Sequence, residues 1–370
     1  MTRIIPAGMQ FWPAKADPLP IAEVIAMYNA GFAGAWLDPE AREERIELSI
    51  ATGGYETVDD AATAQGWADS FAGQLVIPFI YNVLAYPGCY PGPAQQRGDC
   101  VSHATSGACF ATIVGDVVGG LPDPQTGNIE GYPEVSAEGI KNNVTSSEWH
   151  YWWRGYNGDG WSCDTATTMA MRHGIMLRQA YSDLGIDLST YSGRLAGKYG
   201  AQRPPEAMDA VGRVHNVQTS ANCKSREALR DALGNLHGIS TCGSEAWSST
   251  RNEHGVSKRS GSWSHGFKIA GFDDRDIIKQ VYGESLALLV NNWGRWNHGP
   301  RDIYQSAALV PAGMKAEWTS KGIVSAETGN ILIPEGAWWC KVSEIMRRSL
   351  IAYAGAAGWG SKPNIPHVLI

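Results

Sequence analysis

The stretch Gln95-Gln96-Arg97-Gly98-Asp99-Cys100-Val101-Ser102-His103-Ala104-Thr105 places one cysteine between a polar, glycine-containing turn and a run of small residues. Ala104, Gly107, Ala108, Ala111 and Gly115 continue that run along one side. Their spacing predicts a central, buried helix that begins at Cys100 and packs closely against a partner. A thiol at a helix N-terminus feels the positive end of the macrodipole and unpaired backbone N–H groups. Both favour a thiolate and an oxyanion beside it. Cys100 is therefore the candidate nucleophile.

Far downstream, Ser264-His265-Gly266-Phe267-Lys268-Ile269-Ala270-Gly271-Phe272-Asp273 alternates as a strand, with His265 at its start. Leu286-Ala287-Leu288-Leu289-Val290 predicts a buried strand that delivers Asn291-Asn292-Trp293-Gly294. The order Cys, His, Asn supplies a thiol, an imidazole to take and deliver its proton, and an amide to hold the imidazole in one orientation. His103 is a weaker base candidate, because a residue at i+3 on the same helix points beside the thiol and not across a cleft.

At these residues the chain resembles the papain-like cysteine peptidases. Cys100 matches the nucleophile at the start of the family's central helix, His265 the histidine followed by a strand and a Gly-aromatic pair, and Asn291-Asn292-Trp293-Gly294 the Asn-Ser-Trp-Gly signature. Asn157-Gly158-Asp159-Gly160-Trp161-Ser162-Cys163, followed by a helix to His173-Gly174-Ile175, is similar to the Gly-rich turn, helix and Gly-Ile exit between the two sites. The resemblance spans residues 80–310. It implies a two-lobed α+β fold, with a helical lobe bearing the cysteine and a β-barrel-like lobe bearing His265 and Asn291. It further implies a Cys100, His265, Asn291 triad shielded by Trp293, substrate contacts at Gly158 and Gly160, and no cofactor or metal. The family's Trp after the nucleophile is Val101 here, and its oxyanion-hole glutamine falls on Ala94. Gln95 or Gln96 stands in for it, with Gln95 favoured because a one-residue shortening of the loop is the easier to absorb.

Around this core the expected organisation is an N-terminal extension over 1–80, a peptidase domain over 81–315 and a C-terminal tail over 316–370 packing on it. In the extension, Ile21, Val24, Ile25 and Tyr28 fall at i, i+3, i+4 and i+7, an amphipathic helix ending before Gly31. A second helix opens at Asp38-Pro39-Glu40 and a third runs from Val58 to Phe71. In papain-like zymogens a helical prosegment covers the cleft. The family's prosegment motif is missing here, so a docking or stabilising segment beside an open cleft is the expectation.

The 370 residues, 44% of them apolar, suffice for a sizeable core. A net charge of -7 without a basic run argues against a nucleic-acid partner. Early prolines interrupt the N-terminus, and the apolar stretch 75–85 is short and broken by Pro78, so neither an export signal nor a membrane span is expected. The sequon at Asn143 then has no reason to be used. The seven cysteines include no Cys-x-x-Cys pair, so structural zinc is not expected and no disulfide framework can be assigned. Trp149, Trp152 and Trp153 read as core anchors, and Trp338-Trp339-Cys340 as packing. The function expected is peptide-bond hydrolysis acting on a peptide or protein substrate, in the cytoplasm or on a virus particle. The alternative is an inactive papain-like domain that docks other proteins in an assembly such as a phage or virus particle.

Overall fold

A computed structural model gives the fold and describes residues 10–11, 19–29, 32–78, 82, 92–119, 144–215, 217–252, 254–297 and 336–360. Asn143 and, apart from Asn82, the apolar stretch beyond 78 lie outside them. In chain order the elements that build the site are α1 (Ile21–Asn29), β1 (Ala35–Trp36), α2 (Pro39–Ala51), α3 (Val58–Gln65) and β2 (Leu75–Val76). Next come α4 (Cys100–Val118), α5 (Ser147–Trp152), β3 (Trp161–Ser162) and α6 (Cys163–His173). They are followed by β4 (Thr219–Asn222), α7 (Arg226–Gly234), β5 (Ile239–Trp247), β6 (Arg259–Asp273), β7 (Leu286–Val290), β8 (Ala337–Lys341) and β9 (Ser349–Ala354).

Local chemistry sets most boundaries. Asp38 accepts the Ala41 N–H at 3.2 Å and opens α2 with Pro39 at its first position. Ser225 caps α7 in the same way at 2.9 Å. Helix α3 stops at Gln65, short of the expected Phe71, because Gly66 turns left-handed with φ +72° and closes it.

Among the described residues the main sheet has seven strands, all pairs antiparallel, in the order β8-β7-β6-β5-β9-β4, with β2 laid against the end of β6. The 19-residue α4 crosses this sheet. Close approach depends on small residues: a side chain at Gly266 would press on Val101 and Ala104, one at Gly107 on the Lys268 stem, and one at Gly238 on the Ala108 carbonyl. The other face of α4 carries α5 and α6, whose Trp149, Trp152 and Trp161 surroundings are fully buried.

Two expected seams are not seams. Residues 337–341 and 349–354 are strands of the main sheet, and β9 lies in its middle, between β5 and β4. The tail is therefore part of the core. Helix α2 is equally integral: fully buried Arg45 pairs with Asp164 of α6 at 3.0 Å and donates to Ser220 and Asn222 of β4. Helix α3 and β2 pack on α7 and β6.

Candidate active site

Cys100 is the first residue of α4 and is buried. The Tyr28 hydroxyl and the Gly266 and Val101 N–H groups are the neighbours that favour its thiolate form, against burial. His265 lies on β6 just after a bulge between Ser262 and His265, the kind of irregularity that re-aims a side chain. Its Nε2 faces the Asn291 Oδ1 at 2.7 Å. An amide oxygen only accepts, so Nε2 carries the proton and Nδ1 presents its lone pair. Among the described residues Nδ1 has no hydrogen-bond partner although it is buried. Asn291 is fixed in turn by the Asn292 N–H on its Oδ1 at 2.7 Å, and Trp293 stacks on the imidazole at 4.4 Å with 22° between the rings.

A cysteine at the head of a central helix therefore faces an antiparallel sheet, one strand of which carries His265 while the next runs into the Asn291 that bonds it. The chain has the papain-like fold. Asn292, which the sequence reading passed over, joins the two sides: its Nδ2 donates to the Cys100 carbonyl at 3.1 Å and the Gly266 carbonyl at 2.7 Å.

The papain-like glycine turn is tied to the nucleophile loop by a buried ion pair, Arg97 with Asp159 at 2.6 Å, and by the Gly160 N–H on the Gly98 carbonyl at 2.7 Å. The Gly160 N–H is thus used internally, and the Gly158 carbonyl accepts from Arg154 at 3.0 Å. The two glutamines separate cleanly. Gln95 is buried beside the thiol, its Nε2 at 3.3 Å from the Tyr28 hydroxyl and 2.8 Å from the Arg97 carbonyl. Gln96 turns away, its Oε1 accepting the Gly193 N–H at 2.9 Å, so it is not placed to meet an oxyanion. His103 turns to Asp99, Ser147 and the Tyr191 ring.

The cleft is not open. Tyr28 of α1 is fully buried in it, its ring edge-on to His265 at 4.9 Å and tilted against Trp293 at 5.5 Å. The chain around it is bonded to both walls. Leu19 N–H donates to the Gln96 carbonyl at 2.9 Å, Gly34 N–H to the Ser264 carbonyl at 3.0 Å, and Trp161 N–H to the Gly34 carbonyl at 2.9 Å. Strand β1 then pairs in parallel with β3, Ala35 opposite Trp161 and Trp36 opposite Ser162. Gly34 is needed there, since any side chain would strike the Tyr28 hydroxyl. The open cleft expected beside the N-terminal segment is thus not found: Tyr28 fills the space next to His265 and Trp293. The stripe that carries Tyr28 reads as ordinary core in the sequence, which is why the residue escaped notice.

This closure reverses the expected electrostatics. The sequence predicts a thiol shifted toward thiolate, yet burial, only partly offset by the Tyr28 hydroxyl, pushes Cys100 up to about 12. Burial likewise brings His265 down to about 3, against the favourable pull of Asn291. Loss of water outweighs dipole and hydrogen bonds, and both groups are neutral in this form.

Among solved structures the chain is similar to xylellain, a cysteine protease from Xylella fastidiosa, at 10% identity over 78% of this chain and 88% of that one, with a TM-score of 0.43. It is similar to proCathepsin B S9 from Trypanosoma congolense at 8% identity over 76% of each chain, TM-score 0.35. It is also similar to the cysteine protease and lectin-like domains of Cwp84, a surface layer associated protein of Clostridium difficile, at 18% identity over 56% of this chain and 41% of that one, TM-score 0.31. No family model and no curated protein matches the sequence. Among the described residues no group of side chains is arranged to hold a metal ion, and no helix is long and apolar enough to cross a membrane.

Proposed function

We propose that the protein is a cysteine peptidase that hydrolyses peptide bonds through Cys100, His265 and Asn291 and is held latent by its own residues 19–36. The observation that carries the reading is the orphaned lone pair of His265 Nδ1: a buried acceptor without a partner is costly, the Cys100 thiol is the donor that would satisfy it, and the Tyr28 ring is packed edge-on to that imidazole. Once Tyr28 withdraws, the thiol proton passes to Nδ1 and the sulfur attacks the carbonyl carbon of the scissile bond. Gln95 Nε2 and the Cys100 N–H, an unpaired first-turn donor, hold the oxyanion. The imidazolium returns its proton to the departing amine, and water then splits the thioester. The cover is not itself cut there, because a phenol hydroxyl presents no acyl carbon to the sulfur.

Tyr28→Ala and Gly34→Ala test this, the first removing the plug and the second pushing against it. In both, turnover of a generic fluorogenic peptide should rise about ten-fold or more over the unchanged chain. Folded variants that stay inactive would favour the second reading, a domain kept closed to dock other proteins of an assembly.

A further inference from the structure

Arg348 is a cation buried directly behind the candidate active site, just before β9. Its guanidinium is satisfied by neutral acceptors. One Nη donates to the His265 backbone carbonyl, the other to the Glu245 carbonyl at 2.6 Å, and Nε to Thr241 Oγ1 at 3.2 Å. It lies over the Phe267 ring at 4.4 Å. Among the described residues no carboxylate comes within ion-pair distance of it, although burying a guanidinium on these terms is expensive.

The fold makes room for it at one place. His265 is opposite Gly243 in the β5–β6 register, and a side chain at Gly243 would collide with the Arg348 stem. The same stretch of β6 is interrupted by bulges between Arg259 and Ser262 and between Ser262 and His265, so ladder bonds are missing just upstream of the histidine. The guanidinium spans that weak point, tying the His265 peptide to two positions on β5.

Resting on the peptidase reading above, we propose that Arg348 is a positioning residue: it clamps the His265 peptide across the bulge so that the imidazole meets Asn291 with one nitrogen and presents the other to Cys100. A planar fork reaches three separated acceptors from three nitrogens, which the single nitrogen of a lysine cannot.

The test uses the full-length chain with labelled histidine, comparing the unchanged protein with Arg348→Met and Arg348→Lys. In the unchanged protein His265 should show one fixed tautomer, protonated on Nε2, with a slowly exchanging Nε2–H. Arg348→Met should average the tautomers and speed that exchange, and Arg348→Lys should restore part of the signature. Combined with Tyr28→Ala, Arg348→Met should lower kcat about ten-fold or more with KM within about two-fold, since alignment and not binding is lost. Unchanged imidazole signals in a folded Arg348→Met would overturn the proposal. Should that variant fail to fold, Arg348→Lys and Thr241→Val carry the test, and native-like signals in both would overturn it equally. A changed tautomer with no turnover in any Tyr28→Ala background would support the clamp while sinking the peptidase reading, so the two failures are distinct.

Discussion

Around Cys100 the Tyr28 hydroxyl stands 3.3 Å from Gln95 Nε2, His265 Nδ1 keeps an unshared lone pair, and Asn291 Oδ1 faces the other ring nitrogen at 2.7 Å. The Tyr28 oxygen occupies the Gln95 Nε2 donor proposed for the oxyanion, at 3.3 Å. Gln95→Ala in an uncovered Tyr28→Ala background should therefore lower kcat by about 100- to 1,000-fold with little change in KM. Gln96→Ala should leave kcat nearly unchanged, because its side chain serves Gly193. Steady-state kinetics on one peptide decide between the two glutamines. Cys100, His265 and Asn291 could be singled out as candidates because chemistry restricts which residues serve in such a triad, and the structure pairs the last two at 2.7 Å. Tyr28 and Arg348 were not, since a tyrosine in an apolar helical stripe and an arginine between two strands have ordinary explanations.

At the scale of elements, the strongest sequence signals were periodic or capped. The strand Leu286–Val290 and the helix from Cys100 lie where the pattern puts them. What failed was the assignment of segments to layers. Ser349–Ala354 is a six-residue run buried throughout, the signature of a central strand, yet its position near the end of the chain read as a tail. Helix α2 is polar along much of its length and looks detachable, but Arg45 anchors it to α6 and β4. Arg45→Ala leaves Asp164 buried without its cation and should cost about 3–5 kcal/mol in chemical denaturation. For the same reason, removing residues 1–80 should abolish folding, which makes single substitutions at Tyr28 or Gly34 the better probes of the cover.

For the molecule as a whole, closure sets both cross-linking and pH response. Cys163 of α6 and Cys242 of β5 form a disulfide across 79 residues, joining the helical side to the sheet beside Gly266. Seven cysteines and so distant a pair gave no parity or spacing signal. His265 and His150 are both lowered by burial, to about 3 and about 4, from an ordinary 6.5. Below 6.5 the unfolded chain binds protons that the folded one refuses, so stability should fall as pH drops from about 6.5 toward 3. Cys100 is raised from 9.0 to about 12, so the unfolded chain loses its proton first and stability should fall again above pH 9. Thermal midpoints across pH should trace a plateau between those limits, and His265→Gln should soften the acid side. The central claim, that Cys100 is a nucleophile worked by His265 behind a Tyr28 plug, is tested most directly by treating folded Tyr28→Ala with a peptidyl epoxide and mapping the adduct by mass spectrometry. The account predicts a single adduct on Cys100, slow in the unchanged chain and lost in Tyr28→Ala with His265→Gln. Labelling spread over Cys109, Cys223 and Cys340, or labelling of Cys100 indifferent to His265, would contradict it.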